Sequence, residues 1–409
     1  MRKILLTLVF CGSAAIAPVL AAEQPSVYDI CAGSAPRLSA GGNGALHLAF
    51  ERSESEAKSE VYYTKSSDAG KHWSAPINIS LSPARSSHPD IAVEGSGAID
   101  IVWLDSRSGD TCPDIFVSRS TDNGSNWSAP LDVSNTPGVS SEPALAIGAG
   151  DSIHVVWIDT TSGAKRPDVF YSSSADGAKT WTSAFNLSDT PGVSSHPAIA
   201  ADIEGGVHVA WKDTTSGETR PDIFYTQNKN AAWVKPDIDV SNSARISDYP
   251  SLACGKGEVF LAWSDNSRKE KSPDIWCSIG KKNEKFSKPL NISNTPGVSS
   301  EPSVTPDHDG RMAVVWTDTS NRGNKADIYA RLSVDNLDDI SNVMQFSQTS
   351  ASCKHPDVAL SQDIMFVVWQ EDLEGKSSLK IASKVIKNIA TGPSLEVDPV
   401  IRAVPSNSR

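Results

Sequence analysis

The sequence predicts an all-β protein, a seven-bladed β-propeller whose blades each contain four antiparallel strands. A large aromatic residue recurs every 52 to 54 residues, and a proline precedes each one by 13 or 14 residues. A fixed period of this length, with several short strand-like segments per repeat and no helical periodicity, is typical of a propeller. The aromatic series is Phe50, Trp103, Trp157, Trp211, Trp263, Trp316 and Trp369, and the proline series is Pro36, Pro89, Pro143, Pro197, Pro250, Pro302 and Pro356.

The third repeat shows how four strands arise in each unit. The segments that start at Pro143 and Ser152 are apolar at nearly every position, which predicts two strands buried on both faces. The segment that starts at Pro167 predicts a third strand. Polar and small residues alternate after Trp181, as in an outer edge strand. Each repeat therefore predicts strands A to D, ordered from the centre of the ring outward.

The first residues of the chain have the pattern of a targeting segment. Arg2 and Lys3 precede an apolar run that ends in small residues, which predicts a signal peptide over residues 1–22. No later stretch approaches the roughly 18 apolar residues that a membrane-spanning helix needs. The sequence therefore predicts an exported protein, periplasmic or extracellular, with no membrane span.

The remainder is predicted to form one closed domain over residues 23–390, followed by a tail over residues 391–409. The segment 25–31 resembles a strand D that would complete the last blade and close the ring. The segment 394–400 lies at about the strand D distance after Trp369, so it competes for the same place. The sequence leaves open which end of the chain closes the last blade.

Charge and cysteine content narrow the possible partners. The formal net charge of -12 argues against duplex nucleic acid and anionic membranes as partners. The cysteines after the signal peptide occupy different places in the repeat, so they predict no repeated metal site, and no cofactor is expected. Cys31 and Cys353 both lie shortly before a proline of the series, in the first and last repeats, which suggests a disulfide that closes the ring. We expect a monomer.

The turn between strands C and D carries a resemblance to a known family. Residues 66–73 read SSDAGKHW and residues 120–127 read STDNGSNW, and both match Ser-x-Asp-x-Gly-x-x-Trp. This is the Asp box of sialidases and related propellers with bacterial neuraminidase repeats. Residues 174–181 (SADGAKTW) form a third box whose glycine is displaced by one position. The box residues are Asp68, Gly70, Trp73, Asp122, Gly124, Trp127, Asp176 and Trp181.

The resemblance implies that the boxes are structural. An aspartate that accepts hydrogen bonds within its turn, a glycine with positive φ and a packed tryptophan together stabilise a hairpin. In this family the boxes lie on the face away from the active site. Function is therefore expected on the opposite face, where the D-to-A and B-to-C loops surround the mouth of the central channel.

Two sets of residues repeat on that opposite face. The first set lies two residues after the aromatics, and we interpret its carboxylates as caps of the following loop, with ligand or calcium contact as the alternative. The second set lies directly before the prolines, and its chemistry varies while its position stays fixed. The first set is Arg52, Asp105, Asp159, Asp213, Asp265, Asp318 and Glu371, and the second is Ala35, His88, Glu142, His196, Tyr249, Glu301 and His355.

The second set, which we call the collar, predicts the ligand site. His, Glu and Tyr side chains can bind a sugar hydroxyl, an anion or a metal, although a solvated polar ring is the alternative. The leading hypothesis is a propeller that binds a glycan or a protein at this face without chemistry. The collar members predicted to bind are His88, Glu142, His196, Tyr249, Glu301 and His355.

Two further hypotheses remain open. The resemblance to exo-sialidases implies a glycoside hydrolase with a tyrosine nucleophile, a neighbouring glutamate and an arginine triad. The residues nearest to that pattern are Tyr249, Glu301, Arg37, Arg85 and Arg245. The family's catalytic propeller has six blades, whereas this sequence contains seven repeats with short, similar loops. A structural module of an envelope complex is the third hypothesis.

Overall fold

The protein forms seven antiparallel sheets arranged as blades around a central axis. The structure is a computed structural model that describes residues 25–392 apart from 56–57, 110, 230–231, 236, 268–271, 282–284, 308–309, 322, 335–336, 338, 388 and 390. The innermost strand of each blade contacts the innermost strand of the next, and the seventh contacts the first. The predicted seven-bladed propeller is confirmed.

The strands follow the predicted order from the centre outward. The first strand, β1 (Val27–Ala32), belongs to the last blade. Blade 1 contains β2 (Ser34–Ala40), β3 (Leu46–Ser55), β4 (Lys58–Ser66) and β5 (Ile77–Asn78). Blade 2 contains β6 (Ser86–Val93), β7 (Ile99–Asp105), β8 (Asp114–Ser120) and β9 (Leu131–Asp132). Blade 3 contains β10 (Ser140–Ile147), β11 (Ile153–Asp159), β12 (Asp168–Ser174) and β13 (Phe185–Asn186), with a 3-10 turn at Ala149–Asp151.

The remaining blades repeat this plan with small additions. Blade 4 contains β14 (Ser194–Ala201), β15 (Val207–Asp213), β16 (Asp222–Lys229), β17 (Ala232–Trp233) and β18 (Ile238–Asp239). Blade 5 contains β19 (Ser247–Gly255), β20 (Glu258–Asp265), β21 (Asp274–Lys281) and β22 (Leu290–Asn291). Blade 6 contains β23 (Ser299–Pro306), β24 (Met312–Asp318), β25 (Asp327–Val334), β26 (Asp339–Ser341) and β27 (Met344–Gln345). Blade 7 contains β28 (Ser352–Ser361), β29 (Ile364–Leu373) and β30 (Lys376–Val385), and β31 (Thr391–Gly392) pairs with β26 of blade 6.

The N-terminal strand closes the ring. Strand β1 pairs antiparallel with β30, with Val27 opposite Ala382, so it forms the outer strand of blade 7. An ion pair between Lys380 Nζ and Asp29 Oδ1 joins the same two strands. The signal peptide predicted over 1–22 and the competing segment 394–400 lie outside the described residues.

The predicted disulfide between Cys31 and Cys353 is wrong. The strand order in blade 7 is β1, β30, β29, β28, so the two cysteines lie on opposite edges of the sheet. Three strand spacings separate them by about 14 Å, which is more than twice the usual distance between bridged Cα atoms. None of the five cysteines in the described part of the chain forms a disulfide.

The aromatic series fills the interfaces between blades. Phe50 and the six tryptophans of the series are at most 1% exposed, and each belongs to a separate apolar cluster. Trp157 of blade 3, for example, packs with Val102 and Ile115 of blade 2. Because each cluster joins neighbouring blades, the ring is held together by seven similar interfaces rather than by one central core.

No helix in the described part of the chain is long and apolar enough to cross a membrane.

Candidate functional site

The strand register assigns each repeated motif to one of two faces. Ser140 lies opposite Asp159, and Asp159 lies opposite Asp168, so the D-to-A and B-to-C loops share one end of blade 3. Ser174, where the Asp box begins, lies opposite Ile153 at the other end. The Asp boxes therefore lie on one face of the ring. The set that follows the aromatic series and the set that precedes the prolines lie together on the opposite face, as the sequence predicts.

The Asp boxes make the contacts of a local turn. Ser66 Oγ donates to Asp68 Oδ1 at 2.9 Å and accepts from the Gly70 N–H at 3.0 Å. The His72 N–H donates to the same Asp68 oxygen at 2.9 Å, and this bond is the main reason that the pKa of Asp68 is lowered. Trp73 Nε1 donates to the Gly70 carbonyl at 3.1 Å. These bonds close the hairpin and leave the box without a role at the central channel.

The carboxylates after the tryptophans are buried loop caps. Asp159 accepts bonds from Trp157 Nε1 at 3.1 Å, Ser140 Oγ at 2.9 Å and the Thr161 N–H at 2.7 Å. Thr136 Oγ1 donates to the same carboxylate at 2.6 Å. The corresponding aspartates of blades 2 and 4 to 6 are also at most 3% exposed. The interpretation of this set as structural caps agrees with these contacts.

The collar residues share an unusual backbone. Each lies at a β-bulge in the innermost strand of its blade, where the register with strand B shifts. All seven have φ between 46° and 52°. A positive φ is uncommon outside glycine, and a following proline disfavours helical conformations further. Because the same strained bulge occurs in every blade, the collar residues have equivalent backbone positions, whatever their side-chain chemistry.

The collar surrounds one central cavity. All seven collar residues line a cavity of 870 Å³, together with the residues that follow the prolines. This volume lies in the range of pockets that enclose small ligands. The structure thus brings together the side chains that the sequence predicts as the ligand site: His88, Glu142, His196, Tyr249, Glu301 and His355.

Three glutamates hold the backbone of the three collar histidines. In each case a carboxylate oxygen on the preceding blade accepts the histidine N–H. The strong acceptor compensates for the backbone donor that the bulge removes from the strand ladder. The bonds run from His88 to Glu51 at 2.7 Å, from His196 to Glu142 at 2.6 Å and from His355 to Glu301 at 2.7 Å.

His196 has the most elaborate surroundings in the collar. Its Nδ1 lies 2.9 Å from Asp248 Oδ1, and Asp248 Oδ2 lies 2.7 Å from Lys212 Nζ. Burial acts to lower the pKa of His196, but the Asp248 and Glu142 carboxylates outweigh it, so the pKa is raised. The ring centroid of Tyr249 lies 4.6 Å from that of His196. These contacts orient the imidazole at the cavity wall.

The residues of the hydrolase hypothesis are only partly assembled. Tyr249, Glu301, Arg37 and Arg85 line the cavity, whereas Arg245 is exposed in the loop before β19 and is not among the lining residues. Burial raises the pKa of Tyr249, and nearby carboxylates including Glu301 raise it further. No hydrogen bond joins Tyr249 Oη to Glu301, both of which lie in the described part of the chain. An activated nucleophile would need the opposite shift.

The histidines of strand B are satisfied inside the sheet. The Nδ1 atoms of His47, His154 and His208 lie 2.7, 2.7 and 2.6 Å from tyrosine hydroxyls of strand C. Burial lowers the pKa of His47 and of His154 to about 4. These neutral side chains belong to the sheets and not to the cavity.

Sequence reasoning named Arg37 but missed the rest of a second layer of the cavity, which is formed by the residues after the prolines. This layer includes Arg37 of blade 1, Asp90 of blade 2 and Asp357 of blade 7. Burial raises the pKa of Asp90 to about 6, against the opposing effect of Arg37. Asp357 accepts the Leu38 N–H at 2.7 Å. The sequence does contain a signal for this layer, because the residue type after the proline varies between repeats while its position in the repeat is fixed.

The described residues contain no group of three side chains placed to hold a metal ion.

Comparisons with solved structures agree with this architecture. A protein of unknown function from Dyadobacter fermentans matches with a TM-score of 0.54 and 14% identity, covering 89% of this chain and 99% of that one. A structure titled as a PL25 polysaccharide lyase, an ulvan lyase bound to -[GlcA(1-4)Rha3S]-, matches with a TM-score of 0.59 and 13% identity over 87% and 95% of the two chains. The Hadza microbial sialidase Hz136 matches with a TM-score of 0.50 and 14% identity over 70% and 63%.

No protein-family model matches the sequence. No curated protein matches it either. At these identities the solved structures establish the fold and leave the activity open. The chain is a seven-bladed β-propeller, and its fold is similar to those of these solved structures.

Proposed function

We propose that this protein is an exported module that binds a glycan in its central cavity without transforming it. The observation that carries the proposal is the collar. Seven identical bulges present residues of different chemistry to one cavity, and most of them are groups that bind sugar hydroxyls. A purely structural ring would resemble the uniform, buried aspartates two residues after the tryptophans.

The structural relatives add support of a general kind. One is titled as a sialidase and another as a lyase bound to a sugar fragment, so both act on glycans. A sugar ligand also suits the composition of the cavity, in which carboxylates, imidazoles and a phenol alternate with prolines and small residues. A protein partner at the same face is the alternative within this proposal.

A glycan array tests the proposal directly. We expect the purified protein to bind a defined set of glycans, and we expect His88→Ala and His196→Ala to weaken these signals at least about ten-fold. His72→Ala is the matched control, because His72 is exposed on the Asp-box face. Equal profiles for the collar variants and wild type, or no glycan bound at all, would refute glycan binding at the collar.

The second candidate is a glycoside hydrolase, favoured by the shared location of Tyr249, Glu301, Arg37 and Arg85 at the cavity. Incubation with a fluorogenic sialoside tests it. The binding proposal predicts no turnover. Turnover that is lost in Tyr249→Phe would replace the binding proposal with the hydrolase.

A further inference from the structure

The charge of the cavity limits the kind of glycan that it can accept. Five carboxylates but only two arginines line it, a formal excess of three negative charges with neutral histidines. The whole chain carries a net charge of -12, so the surrounding field has the same sign. In a concave site of reduced dielectric, unbalanced charge acts strongly on an entering ligand. The carboxylates are Glu51, Asp90, Glu142, Glu301 and Asp357.

The two arginines do not reverse this sign. Arg37 lies in the second layer, where the Asp90 carboxylate on the neighbouring blade offsets its charge. Asp357, on the blade on the other side, also lines this layer. Arg85 is an exposed residue at the rim, where water screens its charge. An acidic ligand would therefore meet more carboxylates than arginines, and these carboxylates lie on several blades.

The three glutamates are built as acceptors. One oxygen of each is held by a histidine N–H: Oε1 of Glu51 and Oε2 of Glu142 and Glu301. In the described part of the chain the second oxygen of each has no hydrogen-bond donor, and all three residues line the cavity. Anchored carboxylates with a spare oxygen match ligands that donate hydrogen bonds, and they repel ligands that carry acidic groups.

Tyr249 adds a surface for the body of a sugar. Its side chain packs against the His196 ring and is 39% exposed beside the cavity. An aromatic ring with one accessible face offers an apolar contact, while its hydroxyl provides a polar one. Tyr249 lies on blade 5, Glu301 on the neighbouring blade 6 and Glu142 on blade 3. A sugar ring packed against Tyr249 would therefore lie on the side of the cavity that both glutamates line.

We infer that the ligand is a glycan that donates hydrogen bonds from hydroxyl or ammonium groups and carries no carboxylate, sulfate or phosphate. This rests on the proposed function, and it narrows that function to neutral and amino-sugar chains. The ulvan lyase of similar fold is bound to a fragment with a uronate and a sulfated sugar, so the likeness in fold alone does not suggest this class. The inference therefore follows from the side chains of this cavity and not from the fold.

The test is an array in which each neutral glycan stands beside its sialylated, sulfated and uronate forms. Three proteins are compared at low salt: wild type, the double variant Glu142→Gln with Glu301→Gln, and Glu218→Gln. Glu218 is exposed and lies outside the cavity lining, so it controls for the loss of one surface charge. Unfolding midpoints confirm that all three are folded.

We expect wild type to bind neutral or amino glycans at least about ten-fold more strongly than their acidic forms. The double variant should lose much of this preference, whereas Glu218→Gln should keep it. Acidic forms that bind wild type as well as neutral ones would overturn the inference and leave glycan binding intact. An unchanged preference in the double variant would overturn it too. An array with no signal would overturn the proposed function itself.

Discussion

Two rings of polar residues lie on the same face of this propeller, and they differ in every other respect. Two residues after five of the six tryptophans lies an aspartate that is at most 3% exposed, and Asp159 accepts bonds from Trp157, Ser140 and Thr161 of its own blade. The collar before the prolines is varied, lines the cavity and uses one strained backbone for residues of different chemistry. In a repeat protein, a position that most copies share serves the fold, and a position where the copies differ can serve a ligand.

Asp159→Ala should give the largest effect. It removes the acceptor of four hydrogen bonds, two of them from the buried donors Trp157 Nε1 and Ser140 Oγ, and we expect a loss of roughly 3–5 kcal/mol in the free energy of unfolding. Urea denaturation followed by tryptophan fluorescence measures it. Glu142→Ala is the matched collar variant and should cost less than about 1.5 kcal/mol, since one backbone bond is lost. Similar losses for both would erase the distinction between the rings.

Gly124→Ala tests whether the Asp-box face contributes only to structure. A Cβ there would clash with Tyr63 Oη of the preceding blade, and the residue has φ +77°. We expect a loss of about 3 kcal/mol, from the clash and the backbone strain together. The variant should keep the wild-type glycan profile below its unfolding transition. A changed profile in folded protein would connect this face to the ligand site.

Asp239→Asn addresses a difference between repeats that lies away from the cavity. In blade 3 the Asn186 side chain donates to Asp168 at 2.8 Å, whereas in blade 4 Asp239 faces Asp222. Burial, with Asp222 adding to it, raises the pKa of Asp239 to about 6. We expect Asp239→Asn to stabilise the protein by about 1 kcal/mol at neutral pH, after allowance for solvent screening.

The stability gain of Asp239→Asn should depend on pH. Because the pKa of Asp239 is raised on folding, its contribution to stability falls as the pH rises from about 4 to about 6. The gain of the Asn variant should therefore be full above pH 6 and vanish below about pH 4. Asn186→Asp is the reverse control and should lose stability over the same range. A gain that is independent of pH would contradict the proposed repulsion.

The smallest expected effect concerns His196. Its pKa is raised in part by Asp248, so Asp248→Asn should lower it, and NMR titration of the imidazole measures the change. The stability linked to this raised pKa is present at low pH and is lost as the pH rises through the folded pKa. The change in unfolding free energy should stay under about 1 kcal/mol, because the side chain is partly exposed. If the pKa of the His196 imidazole is the same in Asp248→Asn as in wild type, Asp248 does not raise it.

The sequence predicts the fold well because the period is a long-range signal. The aromatic and proline series set the phase, and the phase alone assigns Trp157 to an interface, Asp159 to a loop cap and His196 to the channel. These assignments need no knowledge of which blades touch. They depend only on the position of each residue within its repeat.

Features that depend on contacts between blades could not be predicted in this way. The ion pair between Asp248 and His196 joins two different repeats. The positive φ of the collar residues could not be predicted either, because the residue types at this position vary and none of them is glycine. The Cys31–Cys353 disulfide was predicted from similar positions in the repeat, but strand order places the two residues on opposite edges of one blade. Position within a repeat does not give distance between repeats.

A crystal structure of the protein with the glycan that binds best on the array would locate the binding site. We expect the sugar inside the collar, against Tyr249, with its hydroxyl or ammonium groups within hydrogen-bond distance of Glu142 or Glu301. A glycan seated on the Asp-box face or on the outer blade edges, with the cavity occupied only by water, would contradict it.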